Sequence, residues 1–309
     1  MISLINTYQR RKIMDKLEYG FNHILDRNRD GSYATQSNRR RMLSMFADQL
    51  KKSGYKTNEM RPSDIKGRHI NALIRQWKID GISAGTMKNR MSNIRWLAEK
   101  IGKADMIKSN ATYGIEDRQY ITNKDKSLRT DNINLDKLSP YVRQSIELQK
   151  HFGLRREEAM KFSPEYALGG YDPYSAPVLR IKPSWAKGGR AREIPITSDA
   201  QRNALMAALT LAGDGSLIPA NRSYKEHLGH FERETSAIGL GQTHGLRHLY
   251  AQNRYKELVG IDCPAVGGII DLTGEQKTLD LSARQTISSE LGHNRLSVTG
   301  IYLGSWSCK

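Results

Sequence analysis

The sequence predicts a mainly α-helical protein with one small antiparallel sheet, arranged as a small all-helical domain, a linker and a larger, mostly helical domain. Apolar residues recur every three or four positions over long stretches, which is the period of an amphipathic helix. Two short runs rich in Val, Leu and Ile flank a glycine turn, as in a β-hairpin. A polar segment with little hydrophobic periodicity separates the two helical parts.

The first third of the chain contains three predicted helices, at 36–53, 67–80 and 84–101. In each of them the apolar residues share one face, and a glycine ends the pattern. The opposite faces of these helices are rich in arginine and lysine.

The net charge of the chain is +17, and most of it belongs to this first part. Residues 1–115 hold 23 basic and 10 acidic side chains, a net charge of +13, whereas residues 116–309 hold 26 and 22, a net charge of +4. A positive field of this size favours a polyanionic partner, because binding DNA or RNA releases counterions. The basic residues that we expect to contact DNA are Arg39, Arg40, Arg41, Lys88, Arg90 and Arg95.

The polar segment 109–134 is the best candidate for a linker. The predicted organisation is therefore a helical DNA-binding domain at 1–115, a linker at 116–134 and a second domain at 135–309. Within the second domain, the predicted helices are 136–152, 199–212 and 244–258, and the predicted strands are 178–182 and 192–196.

The chain lacks the sequence signals of several classes of protein. No run of about 18 apolar residues predicts a transmembrane helix. Only Cys263 and Cys308 are present, which fits a reducing cytosol better than secretion. There is no phosphate-binding P-loop and no cluster of residues with metal-ligand spacing. We therefore expect no metal ion and no other cofactor, so that any DNA chemistry would use protein groups alone.

Four segments of the second domain form an ordered set of motifs. They are Gly153-Leu154-Arg155-Arg156-Glu157-Glu158, the glycine turn with Lys187, Thr243-His244-Gly245-Leu246-Arg247-His248, and Glu290-Leu291-Gly292-His293 with Tyr302 nine residues later. Each motif alone is common. The ordered set of Arg, Lys, His-x-x-Arg, Gly-His and Tyr is specific.

This ordered set resembles the tyrosine recombinases, the family of the phage-type integrases. The resemblance carries specific motifs over roughly residues 130–309, whereas the first domain is similar to the family's core-site-binding domain only in helix pattern and charge. It implies a mixed α/β tyrosine-recombinase catalytic domain and a site-specific recombinase that integrates or excises a mobile element or prophage. Strand cleavage and rejoining would pass through a covalent 3′-phosphotyrosine, which keeps the energy of the phosphodiester and needs no ATP.

Two arginines suit the charge that this reaction develops. Attack on a phosphodiester builds negative charge on the non-bridging oxygens, and guanidinium groups can hold those oxygens with bidentate hydrogen bonds. The resemblance assigns this role to Arg155 and Arg247, with Glu158 as a structural partner that holds an arginine or a backbone donor. His244 precedes Arg247 by three residues, so a helix presents both on one side.

The resemblance makes Tyr302 the nucleophile. A phenol has a pKa of about 10 and is a weak nucleophile when neutral, so it needs a base or a positive field nearby. His244 is the expected acid/base partner, and His293 would hydrogen-bond the phosphate or the nucleophile. Lys187, on the tip of the hairpin, would give a proton to the departing 5′-oxygen.

Several of these assignments have a competitor nearby in the sequence. The competing side chains are Arg156 for Arg155, Lys182 for Lys187, and Tyr250 and Tyr255 for Tyr302. His248 is expected to be structural rather than catalytic.

Three features depart from the family pattern. Phe152 stands where Thr usually precedes Gly-Leu-Arg. Residues 259–285 look like an insertion, and the sequence leaves open whether they form a flexible loop or contact DNA or another protomer. Only a short segment follows Tyr302, so any exchange of a C-terminal segment between protomers would need another part of the chain.

The resemblance also implies partners and a location. The partners would be double-stranded DNA attachment sites, a homotetramer on synapsed DNA that associates weakly without it, and an accessory directionality factor. The protein would be bacterial, cytoplasmic and nucleoid-associated, with no membrane contact. Two alternatives stay open: a type IB topoisomerase-like enzyme, which shares the residue set, and a non-catalytic architectural DNA-binding factor, which would need no Tyr302.

Overall fold

The chain divides into two compact units, Met1–Gln119 and Tyr120–Lys309. This computed structural model describes residues 15–268, 272–293 and 295–306. Cys308 and residues 269–271 of the predicted insertion lie outside the described residues. The division between the units falls inside the predicted linker, whose boundaries at 115 and 135 stay a prediction.

The described part of the first unit holds four α-helices. They are α1 (Lys16–Arg27), α2 (Tyr33–Lys52), α3 (Gly67–Ile79) and α4 (Ala84–Lys100), with 3-10 turns at Pro62–Asp64 and Ala104–Met106. The hydroxyls of Ser32 and Ser83 cap α2 and α4 by accepting hydrogen bonds from the third backbone N–H that follows each of them. The last three helices match the predicted ones with ends shifted by at most one turn, while α1 is an addition to the prediction.

Side chains from all four helices build the core of the first unit. Trp77 of α3 is fully buried, and its ring lies 5.8 Å from the ring of Phe46 on α2. Phe21 of α1 and Met91 of α4 belong to the same cluster. Burying a side chain of this size stabilises the fold by roughly 1.5–3 kcal/mol. Packing of the apolar stripes that are visible in the sequence therefore holds these four helices together.

The second unit is mostly helical and contains one two-stranded sheet. Its helices are α5 (Pro140–Phe152), α6 (Arg156–Met160), α7 (Pro164–Leu168), α8 (Asp199–Ala212), α9 (Tyr224–Ala237), α10 (His244–Val259), α11 (Gly274–Glu290) and α12 (Gly300–Leu303). Strands β1 (Val178–Ile181) and β2 (Arg192–Pro195) pair antiparallel, with Leu179 opposite Ile194. The prediction of a mainly helical fold with a small antiparallel sheet is confirmed. None of the described helices combines the length and apolar character needed to cross a membrane.

Helix α10 is the central element of the second unit, and it packs against α5, α11 and α12. Gly153 ends α5 with a φ of +59°, and a Cβ atom there would lie 2.5 Å from Cδ1 of Tyr250 on α10. Only glycine allows both the left-handed conformation and this close approach. The end of α5 is thereby pressed onto α10, which places Arg155 beside the start of that helix.

The segment that leads into α5 packs on the same helix. The backbone N–H of Leu128 donates to the carbonyl of Gly245 at 3.0 Å, and Nε2 of Gln252 donates to Asp125 at 3.0 Å. A Cβ atom on Gly245 would lie 2.7 Å from Cβ of Leu128, so the two backbones are in direct contact. This segment therefore helps to fix the first turn of α10, where His244 lies.

The predicted insertion at 259–285 is partly helical. Residues 274–285 form most of α11, so this half is not a flexible loop. The preceding half contains a 3-10 turn at Pro264–Val266. The insertion thus supplies one of the helices that pack on α10.

The buried histidine of α9 makes the stability of the second unit sensitive to acid. The ring of His227 is buried, and neither of its nitrogens has a hydrogen-bond partner within good geometry among the described residues. Burial, with the neighbouring His230 and Arg222, lowers the pKa of His227. The unfolded chain binds a proton near pH 6.5 that the folded chain does not, so stability is lost as the pH falls below that value. We expect His227→Leu to raise the free energy of unfolding at pH 5 by about 1 kcal/mol, and by less at pH 8.

Urea unfolding at the two pH values measures this difference. His23→Leu, at an exposed position on α1, is the control for replacing a histidine with leucine outside the core. An equal effect of His227→Leu at pH 5 and pH 8 would contradict the prediction.

Candidate active site

Four of the six predicted catalytic residues meet in one cluster around the ring of Tyr302. His293 stacks on this ring with 5.4 Å between ring centroids, and His244 lies 5.9 Å from it. His248, which the sequence predicts to be structural, is closer than either, at 4.6 Å. Tyr302 is only 5% exposed. Its ring therefore faces imidazoles rather than water.

Arg247 lies at the centre of the cluster and is 1% exposed. Its Nε donates to the hydroxyl of Tyr302 at 3.3 Å, and Nη2 lies 3.2 Å from Nε2 of His293. Nη1 and Nη2 also donate to the carbonyls of Gly153 and Leu291, respectively. Burial lowers the pKa of Arg247 to about 10, so the guanidinium stays charged at neutral pH. The cluster is organised around this fixed positive charge.

Arg155 lies beside the cluster at the start of α6 and is 24% exposed. Fully buried Glu158 accepts from its backbone N–H at 2.8 Å and from its Nη1 at 2.7 Å. Arg192 of β2 donates to the same carboxylate through Nη1 at 3.0 Å and Nη2 at 2.6 Å. Burial alone would raise the pKa of Glu158, but the two arginines lower it to about 2. Arg156, the competitor of Arg155, pairs instead with Glu232 on α9 at 2.9 Å.

The three imidazoles of the cluster are neutral at physiological pH. Burial, with the charges of Arg247 and Arg155, lowers the pKa of His244. Burial and the neighbouring His244 lower the pKa of His248 to about 4. Burial and the charges of Arg247 and Arg155 lower the pKa of His293 to about 3. A neutral imidazole can accept a hydrogen bond, but the low pKa values of His248 and His293 make these two weak bases toward the phenol.

Lys187 is not part of the cluster. It is exposed in the turn between β1 and β2, and in the described chain no hydrogen bond, ion pair or ring contact joins it to the other five predicted residues. The base of the turn is held by Trp185, whose ring lies 5.9 Å from Phe162. Lys182, the competitor of Lys187, lies over the ring of Tyr166, with its Nζ 5.1 Å from the ring centroid. The proton-donor role of Lys187 therefore stays a prediction.

The two competing tyrosines are bound to carboxylates. The hydroxyl of Tyr250 donates to Glu290 at 2.7 Å, and that of Tyr255 donates to Asp280 at 2.6 Å. Burial raises the pKa of both phenols, and the adjacent carboxylates add to the shift. Both hydroxyls are thus held in the neutral form, away from the cluster around Tyr302.

The sequence motifs do not include Arg192, and they assign no role to Glu290, although it stands in the Glu-Leu-Gly-His segment. The side chain of Arg192 is 6% exposed, and its Nε donates to the backbone carbonyl of Glu290 at 2.8 Å. The carboxylate of Glu290 accepts from Nε of Arg254 at 3.1 Å. Residues two apart in a strand share a face, so Arg192 lies on the same face of β2 as fully buried Ile194. That alternation is the signal by which Arg192 could have been found.

Two parts of the second unit hold the residues that follow Tyr302. On one side, Nδ2 of Asn123 donates to the carbonyl of Ser305, whose N–H donates to Oδ1 of Asn123, both at 2.9 Å. On the other side, Nε1 of Trp306 donates to Asp280 of α11 at 2.9 Å. The short helix that carries Tyr302 is therefore anchored by contacts within one chain.

Asp280 is itself held firmly. It accepts from Nε of Arg284 at 2.9 Å as well as from the hydroxyl of Tyr255. Arg284 also donates through Nη1 to the carbonyl of Gly304 at 3.0 Å. Helix α11, which includes half of the predicted insertion, thus positions the backbone just after the nucleophile candidate.

In the first unit, a groove between α2 and α4 collects most of the predicted DNA-binding residues. The groove has a volume of about 820 Å³, and the predicted residues that line it are Arg39, Arg41, Arg90 and Arg95. The guanidinium of Arg39 lies 4.5 Å from the ring centroid of Trp96. Nη1 of Arg90 is buried and has no hydrogen-bond partner within the described residues. Four arginines thus make the lining of this groove basic.

Arg40 and Lys88 lie outside the lining of this groove and form ion pairs. Arg40 pairs with Asp26 at 2.6 Å, and Lys88 pairs with Asp117 at 2.5 Å. Ion pairs near the surface stabilise a protein by only about 0–1 kcal/mol. Both cations can therefore exchange their carboxylate for another anion at little cost.

Two sequence families match the chain. The family described as phage integrase, N-terminal, matches residues 14–107, and the family described as integrase matches residues 122–253. Together the two matches span more than two thirds of the chain. The second match includes Arg155, Lys187 and α10 as far as Asn253, and it ends before His293 and Tyr302. No curated protein matches the sequence.

Solved structures share the fold at low sequence identity. The integrase of the Tn1549 transposon, in complex with circular intermediate DNA, is 12% identical with a TM-score of 0.56, covering 94% of this chain and 96% of that chain. A lambda integrase tetramer bound to a Holliday junction is 16% identical with a TM-score of 0.59, covering 96% of this chain and 80% of that chain. The XerH site-specific recombinase bound to palindromic difH substrate is 16% identical with a TM-score of 0.54, covering 92% of this chain and 80% of that chain. These similarities establish the fold.

The anchoring of α12 predicts an unusual sensitivity at Gly304. Its φ is +77°, and a Cβ atom there would lie 2.6 Å from Oδ1 of Asn123 and 2.8 Å from the backbone nitrogen of Ala265. We expect Gly304→Ala to destabilise the second unit by about 3 kcal/mol, because backbone strain and steric overlap add. Gly170→Ala is the control: its φ is +86° with open space around it, so it should cost only about 1 kcal/mol.

Chemical denaturation of both variants measures the difference. Equal losses of stability would mean that the segment after Tyr302 is not held as tightly as its contacts indicate.

Proposed function

The chain belongs to the phage-type integrase family of tyrosine recombinases, and on that premise we propose that it is a site-specific recombinase in which Tyr302 forms a covalent 3′-phosphotyrosine with DNA. Its biological role would be the integration or excision of a mobile element or prophage. One observation carries the proposal. The hydroxyl of Tyr302 lies 3.3 Å from Nε of a buried arginine, and its ring is surrounded by three neutral imidazoles.

Arg247 supplies the positive field that activates the phenol. Because Nε of Arg247 donates to the hydroxyl of Tyr302, the phenol oxygen acts as acceptor there and its own proton is left for a base. The same guanidinium would stabilise phenolate character as that proton leaves. The pKa of His244 is lowered by burial and by nearby arginines, so the imidazole is unprotonated and can take the proton.

The phosphate would bind between the two arginines. Arg155 is partly exposed, and only Nη1 and the backbone nitrogen are used in its contacts with Glu158. Its remaining donors can reach a non-bridging oxygen. Arg247 keeps an N–H on Nη1 beyond those that bind carbonyls. Charge on those oxygens grows during attack, so these contacts strengthen in the transition state.

The proposed reaction uses only groups of the protein and of the DNA. The phenolate oxygen of Tyr302 forms a bond to phosphorus, the bond to the 5′-oxygen breaks, and Lys187 gives that oxygen a proton. A 5′-hydroxyl from another strand then reverses the step by attacking the phosphotyrosine. Because the ester keeps the phosphodiester energy, rejoining needs no nucleotide.

The partner we propose is double-stranded DNA at two attachment sites. The first unit supports this through its charge of +13 over residues 1–115 and through the groove lined by Arg39 and Arg90. Lambda integrase has been solved as a tetramer on a Holliday junction, and we propose a homotetramer on synapsed DNA for this chain. An accessory directionality factor and action at the bacterial nucleoid belong to the same proposal.

Tyr302→Phe tests the nucleophile directly. The change removes one hydroxyl and keeps the ring that stacks on His293. We expect no covalent protein–DNA adduct from a nicked suicide substrate of the attachment site, measured as a protease-sensitive band on a denaturing gel. Tyr171→Phe, at an exposed tyrosine, should form the adduct at the wild-type rate. An adduct with Tyr302→Phe, or none with the wild type, would refute the proposal.

The role of Lys187 can be tested by changing the leaving group. We expect Lys187→Ala to lower the cleavage rate constant by about 100-fold or more on ordinary DNA, because the 5′-oxygen leaves without a proton. A substrate with sulfur in the bridging 5′ position should be cleaved almost as fast by this variant as by the wild type, since a thiolate needs no proton to leave.

Lys182→Ala is the matched control from the same turn and should cleave both substrates at the wild-type rate. A loss of rate that is equal on oxygen and sulfur substrates would assign Lys187 to DNA binding instead of proton transfer.

A further inference from the structure

We infer that Arg192 is a positioning residue of this site, which fixes Arg155 and the turn before His293 relative to each other and links both to the strand that follows the Lys187 turn. The inference rests on the proposed function, because it takes Arg155 and His293 as groups that contact the phosphate. Arg192 itself has no substrate role in it.

The first support is the geometry around Glu158. Oε1 accepts from Nη1 of Arg155 at 2.7 Å and from Nη1 of Arg192 at 3.0 Å. Oε2 accepts from the backbone nitrogen of Arg155 at 2.8 Å and from Nη2 of Arg192 at 2.6 Å. A carboxylate has about four lone-pair positions, and all of them are occupied here. The direction in which Arg155 leaves the start of α6 is therefore tied to the position of Arg192.

The second support is the other end of the same guanidinium. Nε of Arg192 donates to the backbone carbonyl of Glu290 at 2.8 Å. The stem of the side chain lies directly on Gly292, where a Cβ atom would be 2.9 Å from Cδ of Arg192. Gly292 has a φ of +64° and stands between Leu291, whose carbonyl binds Arg247, and His293. Arg192 thus supports the turn that presents two groups to the cluster.

The third support is the place of Arg192 in the chain. It is the first residue of β2, just after the turn that holds Lys187. One side chain therefore joins the hairpin, the start of α6 and the end of α11. A shift of the hairpin would change the spacing of Arg155 and His293, and a misplacement of about 1 Å can lower a rate by about 100-fold.

Arg192 also contributes to the charge that surrounds His293. The imidazole stacks on the ring of Tyr302, and the charged or titratable groups that lower its pKa after burial are Arg247, Arg155, Arg192 and His244. Removing the positive charge at 192 should therefore raise the pKa of His293. Keeping the charge while breaking the bidentate contact should leave that pKa closer to its wild-type value.

The test compares Arg192→Met, which loses both the contacts and the charge, with Arg192→Lys, which keeps the charge but cannot bind a carboxylate in a bidentate way. Arg180→Met on β1 is the control, because that arginine is half-exposed and lies 3.5 Å from Glu193 in the same sheet. DNA affinity is measured alongside the rate constant for adduct formation on a saturating suicide substrate.

We expect Arg192→Met to lower this rate constant by at least about tenfold with DNA affinity unchanged, Arg192→Lys to lie between it and the wild type, and Arg180→Met to match the wild type. A Met variant that cleaves at the wild-type rate would overturn the inference. If the Met variant does not fold, a Lys variant with the wild-type rate would overturn it equally.

A second readout does not depend on DNA. The ring protons of His293 are followed by NMR as the pH is lowered in the free protein. We expect the protonation midpoint to move to higher pH in Arg192→Met than in Arg192→Lys. Identical midpoints in the two variants would overturn the placement of Arg192 beside this imidazole. This readout stays valid if the wild type does not cleave DNA and the proposed function is rejected.

Discussion

The buried guanidinium of Arg247 is the constraint on which the second unit depends. A charge without access to water is tolerated only where protein groups replace its hydration. Here the carbonyls of Gly153 and Leu291 do so, and each lies at the C-terminal end of a helix, where the helix dipole favours a cation. α5 and α11 must therefore end at one point on α10. The hydroxyl of Tyr302 accepts a hydrogen bond from Nε of the same guanidinium.

The site combines charged arginines with neutral imidazoles. The positive charges of Arg247, Arg155 and Arg192 are balanced directly by one carboxylate, that of Glu158, which their fields keep ionised. Burial, reinforced by nearby positive charge, lowers the pKa of the imidazoles around Tyr302 and keeps them unprotonated. A site of this kind holds an excess of positive charge in the resting protein, part of which a phosphodiester would balance.

The sequence predicts those parts of this molecule that follow from hydrophobic periodicity or from a family motif. α2, α3 and α4 have apolar stripes, so their bounds were predictable to within a turn. The bounds of α11 were not predictable, because Asp280, Arg284 and Glu290 lie on its buried face and interrupt the apolar pattern. The motifs identified the residues that meet at Arg247, but they contain no information on partners such as Arg192. They also do not specify the direction of a turn, so the place of Lys187 was beyond them.

Helix α11 is fixed by directional contacts as well as by the apolar packing of Ala283 and Ile287. An apolar stripe can rotate or slide slightly and accepts many substitutions of similar volume. The buried carboxylate of Asp280, with hydrogen bonds from three side chains, has one orientation and few substitutes. Leu279 and Leu281, the sequence neighbours of Asp280, are about half-exposed. Among descendants of this sequence, the buried polar residues Asp280 and Arg284 should therefore change more slowly than the apolar but half-exposed Leu279 and Leu281.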